Sequence, residues 1–510
     1  MLQYELDSFE PRAEIDFKMV NTLTSGKSLL DYFNSDNIYV TDSTGNYTYR
    51  EVFANAKKIA SHLKVSYHLG RGDKVVIRSE NSIESISTVI ALWMLGATPS
   101  LVMPMFREEE ISYILGHIDP KLYLSSNALP KVGEKLISLN EVFNEALDNP
   151  IEDFELVTIL STDVAVILFT SGTTGKNKSA MLTHGELLAN ALSFSTHIGL
   201  DEKDKFISSA SMAFSYGMGI FFSFPIANNA SVILTKNAKT LLGDAVEQQA
   251  TVLFLVPTLY NIFMVENNDS LLNLRDKGAI TKFVSAGENL SELTYRFYYK
   301  LFNIGIINGL GATEMTHIFL ANTAKPNNHS LGVPLNGYEI ELRDKENQLI
   351  EHDDTIGYLH VKGISGCKYY RDERQNQYVT DDNFNKTNDL LYRVNGEYYY
   401  HSRADEMIIT SGYNVSPYEI EDCIKRIPGV MEVLVCGQPD KLRNHVIAAY
   451  IKLNTGFTLT DSEVMEFVKQ ELAPYKYPRR IFFVDEFPRT ASGKLKRTAL
   501  ISGEFYNTFE

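Results

Sequence analysis

Short apolar runs of β type alternate with stretches of helical periodicity through most of the chain. Residues 73–79 (DKVVIRS) predict a strand, residues 82–97 an amphipathic helix, and residues 99–105 the next strand. Further strands are predicted, with helical patterns between them, at 165–170, 230–235, 250–257 and 279–287. Strands that alternate with helices in this way form mostly parallel sheets covered by helices. The pattern therefore predicts an α/β fold.

The pattern changes after about residue 337. Short alternating strands with turn residues between them follow at 337–350, 357–363 and 396–410, and they predict a small β-barrel or an antiparallel sheet. From about residue 405, a helix, two strands and a second helix predict a compact α+β segment. A chain of 510 residues is also too long for one ordinary core. We therefore expect a large N-terminal domain, 1–404, and a small C-terminal domain, 405–510.

Composition and charge narrow the class of protein. The chain is 44% hydrophobic and 22% charged, as is usual for soluble globular proteins. The formal net charge of −16 argues against nucleic acid as a partner, because phosphate contacts need a basic face. The N-terminus lacks the apolar core of a secretory signal, and no apolar run approaches the ~20 residues of a membrane span. Cys367, Cys423 and Cys436 have neither metal-ligand spacing nor a disulfide pattern. We therefore expect a cytoplasmic protein without a membrane partner.

Residues 168–184 (LFTSGTTGKNKSAMLTH) contain an unusual run of six Ser, Thr and Gly residues at 170–175, followed by Lys176 and Lys178. The run lies between a predicted buried strand and a helical pattern, where backbone N–H groups, hydroxyls and lysines can hold polyphosphate. It is not a Walker A loop, because Asn177 follows Lys176, and no G-x-G-x-x-G stands in the context of a Rossmann site. On these residues alone, a flexible surface loop remains the alternative, since Ser, Thr and Gly are common in turns.

Four further segments place polar residues on predicted turns: 307–317 (INGLGATEMTH) with Thr313 and Glu314, 387–392 (TNDLLY) with Asp389, 401–421 with Arg403, Asp405 and Gly412, and 488–497 (PRTASGKLKR) with Lys494. Taken singly, these side chains also fit solvated loop positions or helix N-caps. In this order and at these separations, the segments resemble the adenylate-forming superfamily of acyl-CoA synthetases, peptide-synthetase adenylation domains and firefly luciferase. The resemblance covers nearly the whole chain and is clearest from residue 161 to 497.

The resemblance implies that the N-terminal domain binds ATP and a carboxylic acid, while the C-terminal domain is a mobile lid with its hinge at Asp405. The implied reaction is attack of the carboxylate on the α-phosphorus of ATP, which gives an acyl-adenylate and pyrophosphate, followed by transfer to a thiol. The residues implied in nucleotide binding are Thr170, Ser171, Gly172, Thr173, Thr174, Gly175 and Lys178 for the phosphates, Gly287, Glu288, Asn308 and Gly309 for adenine, and Asp389 and Arg403 for ribose.

Further residues are implied in catalysis. Glu314 is implied as the ligand of Mg²⁺, a cation that prefers a carboxylate together with phosphate oxygens. Thr313 is implied to contact the α-phosphate. Lys494 is implied to bridge the α-phosphate and the carboxylate when the lid is closed, where its charge stabilises the transition state. Gly412 is implied to line the tunnel of the thiol.

The chain departs from the family pattern at three positions. Ser179 and Ser402 stand where the family usually has glycine, and Ile409 stands where it often has lysine. No departure removes a group with an implied catalytic role. The isoleucine does remove one possible contact between the lid and a phosphate.

The segments 212–225 (MAFSYGMGIFFSFP) and 311–322 (GATEMTHIFLAN) most resemble benzoate- and hydroxybenzoate-CoA ligases. Such a pocket needs apolar walls and a few polar groups. The implied pocket residues are Ser215, Tyr216, Gly217, Gly311, His317 and Ile318. His317 is expected to approach the carboxylate as a catalytic residue, and Gly311 to leave room for a flat ring. Ser215 stands where benzoate-type enzymes tend to have alanine.

The expected activity is conversion of an aromatic carboxylic acid into its CoA thioester, with ATP, Mg²⁺ and CoA. An amino acid substrate is disfavoured, because the segment MAFSYG has no acidic residue to meet an ammonium group. Two alternatives remain open. One is a stand-alone adenylation enzyme that loads the acid onto the phosphopantetheine of a carrier protein, and the other is a non-catalytic adenine-nucleotide sensor.

Overall fold

A computed structural model of the protein describes residues 24, 26–106, 108–126, 136–148, 156–170, 178–266, 268–323, 329–366, 368–370, 379–380, 382–410, 413–440, 444–472, 474–489 and 495–501. These residues form a large N-terminal α/β part and a smaller C-terminal α+β part, so the predicted fold class is confirmed. Within the same ranges, no helix combines the length and the apolar character that crossing a membrane requires.

The strands form two large sheets and several small ones. In the first part of the chain they are β1 (Ile38–Asp42), β2 (Gly45–Thr48), β3 (Lys74–Arg78), β4 (Thr98–Val102), β5 (Leu122–Ser125), β6 (Leu136–Ser138), β7 (Val164–Thr170), β8 (Lys178–Thr183), β9 (Lys205–Ser208), β10 (Ser231–Leu234), β11 (Val252–Leu255), β12 (Lys282–Ala286), β13 (Ile306–Gly311), β14 (Ile318–Ala321) and β15 (Val333–Pro334). In the second part they are β16 (Tyr338–Arg343), β17 (Gly357–Gly363), β18 (Lys368–Tyr369), β19 (Asn385–Val394), β20 (Glu397–Arg403), β21 (Ile408–Thr410), β22 (Tyr413–Val415), β23 (Val430–Asp440), β24 (Asn444–Leu453) and β25 (Arg480–Phe483).

The two large sheets are mostly parallel in their centres, as the alternation of strands and helices predicted. One has the strand order β15-β14-β13-β12-β11-β9-β10-β1-β2, and the other has the order β18-β8-β7-β4-β3-β5-β6. Antiparallel pairs lie towards their edges, among them β7 with β8 and β13 with β14. Both of these antiparallel pairs carry residues of the predicted site.

Helices cover the sheets. In chain order they are α1 (Tyr49–Tyr67), α2 (Ile83–Leu95), α3 (Glu108–Ile118), α4 (Leu139–Asp148), α5 (His184–Ile198), α6 (Ser215–Met218), α7 (Phe224–Asn228), α8 (Leu241–Glu247), α9 (Pro257–Glu266), α10 (Asn268–Lys277), α11 (Glu292–Phe302), α12 (Pro417–Lys425), α13 (Asp461–Glu471) and α14 (Arg497–Ile501). A π-helical turn, Gly219–Ser223, joins α6 to α7, and a 3-10 turn covers Thr313–Met315.

Helices α2 and α5 connect the two large sheets. Trp93 of α2 donates its indole N–H to the Ala165 carbonyl of β7 at 2.7 Å. Asn190 of α5 donates to the Ile318 carbonyl of β14, in the other sheet, at 2.8 Å. The rings of Trp93 and His184 meet edge to face with 5.1 Å between their centroids. The main hydrophobic core therefore lies in a layer of helices between the two sheets.

The segment between β7 and α5 contains a strand that the sequence pattern did not predict. Strand β8 pairs antiparallel with β7, and Thr170 lies opposite Lys178, so residues 171–177 connect two paired strand ends. Helix α5 follows, with Thr183 as its N-cap. The Thr183 hydroxyl accepts from the backbone N–H of Glu186, and the Glu186 carboxylate accepts from the backbone N–H of Thr183. This reciprocal capping explains the sharp change from strand to helix.

The second half of the chain forms smaller sheets. Strands β16-β17-β19-β20 form an antiparallel sheet, one of the two forms predicted for this region. Strands β23-β24-β25 pack with α12 and α13 around a hydrophobic core of their own. A core separate from the main one is what a small domain needs, although the boundary predicted at residue 405 remains a prediction.

Candidate active site

The turn between β13 and β14 holds the TEMTH motif in an unusual backbone conformation. Gly311 pairs with Ile318 across the two strands, and a 3-10 turn fills the start of the connection. Thr316 lies at φ 74° and ψ −53°, and the His317 N–H donates to the Met315 carbonyl at 2.9 Å. This geometry is a γ-turn of the rare, strained type, and it is especially uncommon for a β-branched residue. Since strained residues persist only where their surroundings impose them, the turn is a rigid part of the site.

Glu314 and Lys178 meet at one tyrosine. The Tyr369 hydroxyl donates to Glu314 Oε1 at 2.5 Å, and the Lys178 ammonium lies 5.3 Å from the centroid of the Tyr369 ring. Strand β18 brings Tyr369 there by pairing antiparallel with β8. The structure thus brings together two of the predicted phosphate-site residues, from distant parts of the sequence. The tyrosine itself was not predicted, because nothing in its sequence surroundings marks it.

The chemistry of this cluster fits Mg²⁺. Among the described residues, no group of three or more His, Cys, Asp or Glu side chains could hold a metal ion. Glu314 offers one carboxylate here, and a carboxylate together with phosphate oxygens and water is the ligand set that Mg²⁺ prefers at nucleotide sites.

Asp389 and Arg403 lie opposite each other on β19 and β20. Arg403 Nη1 is 3.2 Å from Asp389 Oδ1, and its Nε is 3.0 Å from Asp405 Oδ1. Asp389 is only 8% exposed, and burial raises the pKa of its carboxyl to about 6, although the Arg403 guanidinium acts in the opposite direction. The Arg403 guanidinium thus joins Asp389, the other residue predicted for ribose binding, to Asp405, the residue predicted as hinge.

The residues predicted for adenine lie at the ends of two paired strands. Strands β12 and β13 are parallel, and Ala286 lies opposite Gly309, so Gly287 and Glu288 follow at the same edge of the sheet. Glu288 Oε2 accepts from the backbone N–H and the hydroxyl of Thr258, at 3.0 and 2.7 Å, and so caps the start of α9. Glu288 Oε1 is buried without a partner among the described residues, and it can accept a hydrogen bond from a ligand amino group.

The Asn308 side chain has a structural task in the same place. Its Nδ2 donates to the His329 carbonyl at 3.0 Å, and its backbone N–H donates to Asn322 Oδ1 at 2.9 Å. Any hydrogen bond of Asn308 with adenine is therefore expected from its side-chain oxygen.

Aromatic rings enclose His317. Its Nε2–H donates to the Tyr216 carbonyl at 3.2 Å, the Tyr216 ring stacks on it at 5.3 Å between centroids, and Phe224 meets it edge-on at 4.5 Å. Burial lowers the pKa of His317 to about 3, so the ring is neutral at physiological pH. A neutral ring cannot attract a carboxylate by charge. The contact with the substrate carboxylate stays a prediction; in the structure, His317 packs against Tyr216 and Phe224.

Ser215 connects the aromatic wall to the turn of Thr313. The two hydroxyl oxygens are 3.3 Å apart. Ser215, predicted to contact the acid, is therefore next to Thr313, predicted to contact the α-phosphate of ATP. Attack of the carboxylate on the α-phosphorus requires the two sites to be adjacent.

At two glycines of the predicted pocket, a neighbouring backbone carbonyl leaves no room for a side chain. A Cβ at Gly311 would lie 2.4 Å from the His317 carbonyl oxygen, and one at Gly217 would lie 2.1 Å from the Ser211 carbonyl oxygen. Gly311 therefore serves the close pairing of β13 with β14, whereas the sequence had indicated room for a substrate ring. Its contact with substrate remains a prediction.

Several predicted residues cannot be located in the same way. Of Thr170, only its backbone position at the end of β7 is described. The predicted residues that lie outside the described ranges are Ser171, Gly172, Thr173, Thr174, Gly175, Gly412 and Lys494.

Comparison with known proteins identifies the class to which this fold and site belong. The family model of AMP-binding enzymes matches residues 32–371, and the model of the AMP-binding enzyme C-terminal domain matches residues 419–494. The chain therefore belongs to the AMP-binding enzyme family, and the resemblance inferred from the motifs is confirmed.

Particular relatives include ligases of aromatic acids. The benzoate–CoA ligase of Thauera aromatica is 30% identical, with 94% of this chain and 94% of that protein covered. The 4-hydroxybenzoate–CoA/benzoate–CoA ligase of Rhodopseudomonas palustris is also 30% identical, with 79% of each chain covered. The crystal structure of a benzoate CoA ligase from Burkholderia xenovorans LB400 superposes with a TM-score of 0.85 at 29% identity, over 93% of this chain and 100% of that one.

Proposed function

We propose that the protein is an AMP-forming acid–thiol ligase that converts an aromatic carboxylic acid into its CoA thioester through an acyl-adenylate. The observation that carries this proposal is the turn between β13 and β14. Glu314 near its start contacts the cluster with Lys178, and His317 at its end supports the aromatic wall of Tyr216. A single rigid turn thus connects a site suited to phosphate with a site suited to a flat apolar acid.

In the first half-reaction, two anions must approach each other. The enzyme therefore has to neutralise charge and align the carboxylate with the α-phosphorus. Lys178 and the residues of the loop at 170–175 would hold the β- and γ-phosphates, and Thr313 would contact the α-phosphate. Mg²⁺, held by Glu314, would supply the positive charge that offsets the charge of the phosphates. Lys494 would stabilise the charge that grows between carboxylate and phosphate.

The nucleoside is held by separate groups. The carboxylate of Asp389 accepts hydrogen bonds from the ribose hydroxyls, and Arg403 orients that carboxylate through its ion pair. Gly287, Glu288 and Gly309 line the adenine, with Glu288 Oε1 as an acceptor for an amino group. The large distance in sequence between these residues is bridged by strand pairing.

The acid binds against Tyr216, with Ser215, Gly217, Gly311 and Ile318 around the ring, and His317 fixes the wall from behind. An aromatic acid fits best, because the pocket residues are apolar or small and include no acidic side chain for an ammonium group. The names of the relatives at 30% identity, which are ligases of benzoate and hydroxybenzoate, support the same substrate class.

The acceptor of the second half-reaction is CoA. The relatives with 30% identity are both named CoA ligases, and nothing in the comparisons favours a carrier protein. We expect residues 405–510 to act as the lid, with Asp405 as its hinge and Gly412 beside the pantetheine arm. The lid then presents Lys494 for adenylation and turns away for transfer to the thiol.

A panel of carboxylic acids tests the proposal. Pyrophosphate release is measured for benzoate, ring-substituted benzoates, acetate and a long fatty acid, with and without CoA, and the thioester is identified by mass. We expect an aromatic acid to be used best and AMP, pyrophosphate and the CoA thioester to form together. A preference for aliphatic acids would contradict the pocket, and the absence of exchange between pyrophosphate and ATP with every acid would favour a nucleotide sensor.

A further inference from the structure

One short segment of the chain, which includes β18, holds the turn that carries Glu314. The Ser365 hydroxyl donates to the Met315 carbonyl at 2.8 Å, and the Tyr369 hydroxyl donates to Glu314 Oε1 at 2.5 Å. Ser365 and Met315 are both buried, so the first of these contacts lies inside the protein. The backbone of the turn and the carboxylate that it carries are therefore both held by side chains of the same segment.

The backbone of this segment is itself fixed. Strand β18 pairs with β8, where Tyr369 lies opposite Ala180. The Tyr370 N–H donates to the Ser179 carbonyl at 2.7 Å, and the buried Ser179 hydroxyl donates to the Tyr370 carbonyl at 3.1 Å. His117 Nε2 lies 2.8 Å from the same hydroxyl oxygen and connects it to α3. Because Tyr369 belongs to a strand held in this way, its hydroxyl has little freedom to leave the carboxylate.

The ring of Tyr369 contacts a second charged group. The Lys178 ammonium lies 5.3 Å from the ring centroid, a distance at which a cation is attracted to an aromatic face. Both residues are only 7% exposed, and such an attraction strengthens where water is excluded. One side chain thus contacts two groups of opposite charge, the ammonium through its ring and the Glu314 carboxylate through its hydroxyl.

The contact with Glu314 leaves one carboxylate oxygen for a ligand. Oε1 accepts from Tyr369, whereas Oε2 has no hydrogen-bond partner in the described part of the chain. Carboxylates that bind metals are themselves hydrogen-bonded by neighbouring groups, which fix their orientation. A phenol hydroxyl suits this task, because it is a neutral donor and leaves the negative charge of the carboxylate for a cation.

We propose that Tyr369 is a positioning residue for ATP and its Mg²⁺. Its hydroxyl orients the carboxylate of Glu314 for the metal, and its ring places the ammonium of Lys178 for the phosphates. This role rests on the proposed function, in which Glu314 binds Mg²⁺ and Lys178 binds phosphate. It adds that one side chain acts on both groups, through two parts that can be removed one at a time.

Equilibrium binding of ATP to the full-length protein tests the role of the hydroxyl. The dissociation constant of ATP is measured by calorimetry with EDTA and with excess Mg²⁺, and the ratio of the two constants gives the contribution of the metal. We expect Tyr369→Phe, which keeps the ring, to reduce this ratio about tenfold to a hundredfold, the range for loss of a group that orients a metal ligand. Binding in EDTA should change by less than about twofold, because the ring still contacts Lys178.

Tyr369→Leu tests the ring. It removes both contacts, so it should reduce the ratio as Tyr369→Phe does and also weaken ATP binding in EDTA roughly 2- to 30-fold, the range for loss of a cation–π contact. Tyr298→Phe is the matched control. The Tyr298 hydroxyl donates to the Tyr260 carbonyl at 3.1 Å, and the residue is buried on α11 in a different hydrophobic cluster. This variant should leave both dissociation constants unchanged.

Exchange of pyrophosphate into ATP with saturating benzoate provides a second readout. At low Mg²⁺, Tyr369→Phe should be slower than the wild type, and excess Mg²⁺ should restore most of the rate, because a weakened metal site can still be filled. A deficit of equal size at every Mg²⁺ concentration, together with weaker ATP binding in EDTA, would overturn the role of the hydroxyl. Thermal unfolding of each variant then shows whether general damage to the fold is the cause.

Glu314→Gln, measured in parallel, distinguishes failure of this role from failure of the proposed function. If Glu314→Gln reduces the ratio and Tyr369→Phe does not, the role of the hydroxyl is wrong and the proposed function stands. If Glu314→Gln leaves the ratio unchanged, Glu314 is not the metal ligand and the role of Tyr369 falls with it. If Tyr369→Leu binds ATP in EDTA as tightly as the wild type, the role of the ring is wrong.

Discussion

Acidification is expected to weaken ATP use through one carboxyl group, Asp389. Burial raises the pKa of this group to about 6 from an ordinary value of 3.8, despite the opposing Arg403 guanidinium. The difference corresponds to roughly 3 kcal/mol between the two protonation states. In the proposed site, the Asp389 carboxylate would accept hydrogen bonds from the ribose hydroxyls above the raised pKa, and the protonated group would lose most of that capacity below it. Activity carried by Asp389 should therefore fall as the pH falls through about 6.

The magnitude follows from the ionised fraction. With a pKa of about 6, the group is about nine-tenths ionised at pH 7 and about one-tenth ionised at pH 5. We therefore expect protonation of Asp389 to lower kcat/KM for ATP roughly tenfold between pH 7 and pH 5. The effect on stability has the opposite sign. A carboxyl whose pKa is raised by folding binds its proton more tightly in the folded state, so between about pH 4 and 6 its contribution to stability increases as the pH falls. Loss of activity near pH 5 is then not loss of fold through Asp389.

The assay is pyrophosphate exchange with saturating aromatic acid between pH 5 and 8. Phosphate groups of ATP titrate in the same range, so the diagnostic quantity is the ratio of wild type to Asp389→Asn at each pH, in which that titration cancels. Asp422 on α12 provides a control, because desolvation also raises its pKa to about 6, although its side chain is 41% exposed against 11% for Asp389. Asp422→Asn should retain the wild-type profile. A ratio that stays constant from pH 5 to 8, or an altered profile in Asp422→Asn, would refute the reasoning.

Three substitutions test other parts of the site. Asp405→Pro should spare adenylation and sharply lower transfer to CoA, measured as separate rates, because proline fixes φ near −65° at the proposed hinge. Gly219→Ala places a Cβ 2.4 Å from His317 Cδ2, so the ring must move at a cost of about 1–3 kcal/mol. It should raise KM for the acid, but not for ATP, in steady-state assays. Ser215→Ala should shift relative kcat/KM towards unsubstituted benzoate by roughly 10- to 200-fold if its hydroxyl reads a polar ring group.

Each of these has a contrary outcome. Equal loss of both half-reactions in Asp405→Pro would indicate a surface residue near a strand end, without a hinge function. An unchanged KM for the acid in Gly219→Ala would show that the position of His317 does not affect binding of the acid. An unchanged order of preference in Ser215→Ala would leave the hydroxyl as a filler of the wall near Thr313, with which it is in contact.

The fold was largely predictable because the strand and helix periods are local properties. Residues 165–170 lie in β7, residues 279–287 contain β12, and residues 82–97 contain α2, as the patterns indicated. Strand β8 was missed, because Lys178 and Ser179 read as the end of a polar loop although both are buried. These polar residues are buried because β8 lies between β7 and β18 in the sheet, and this pairing is visible only in the structure.

The site was predictable only in its motif residues. Tyr369 and Thr258 hold Glu314 and Glu288, yet neither lies near its partner in sequence. Thr258 follows Pro257, at the kind of position where a helix begins, so the start of α9 was accessible to sequence reasoning, although its capping by Glu288 was not. For Tyr369 the sequence carries no such signal. Gly311 shows that a missing side chain can serve a neighbouring carbonyl, while its contact with a ligand stays a prediction.

The γ-turn at Thr316 bears on how the enzyme uses its binding energy. A residue held in such a conformation costs roughly 1–3 kcal/mol, and this cost is met when the chain folds, before any substrate arrives. The aromatic acid therefore meets a preorganised turn, and no part of its affinity has to be spent on ordering residues 312–317. We therefore expect discrimination between acids to depend on the fixed shape of this turn and not on its induced closure. An enzyme built in this way gains selectivity against flexible aliphatic acids, at the expense of tolerance for acids of other shapes.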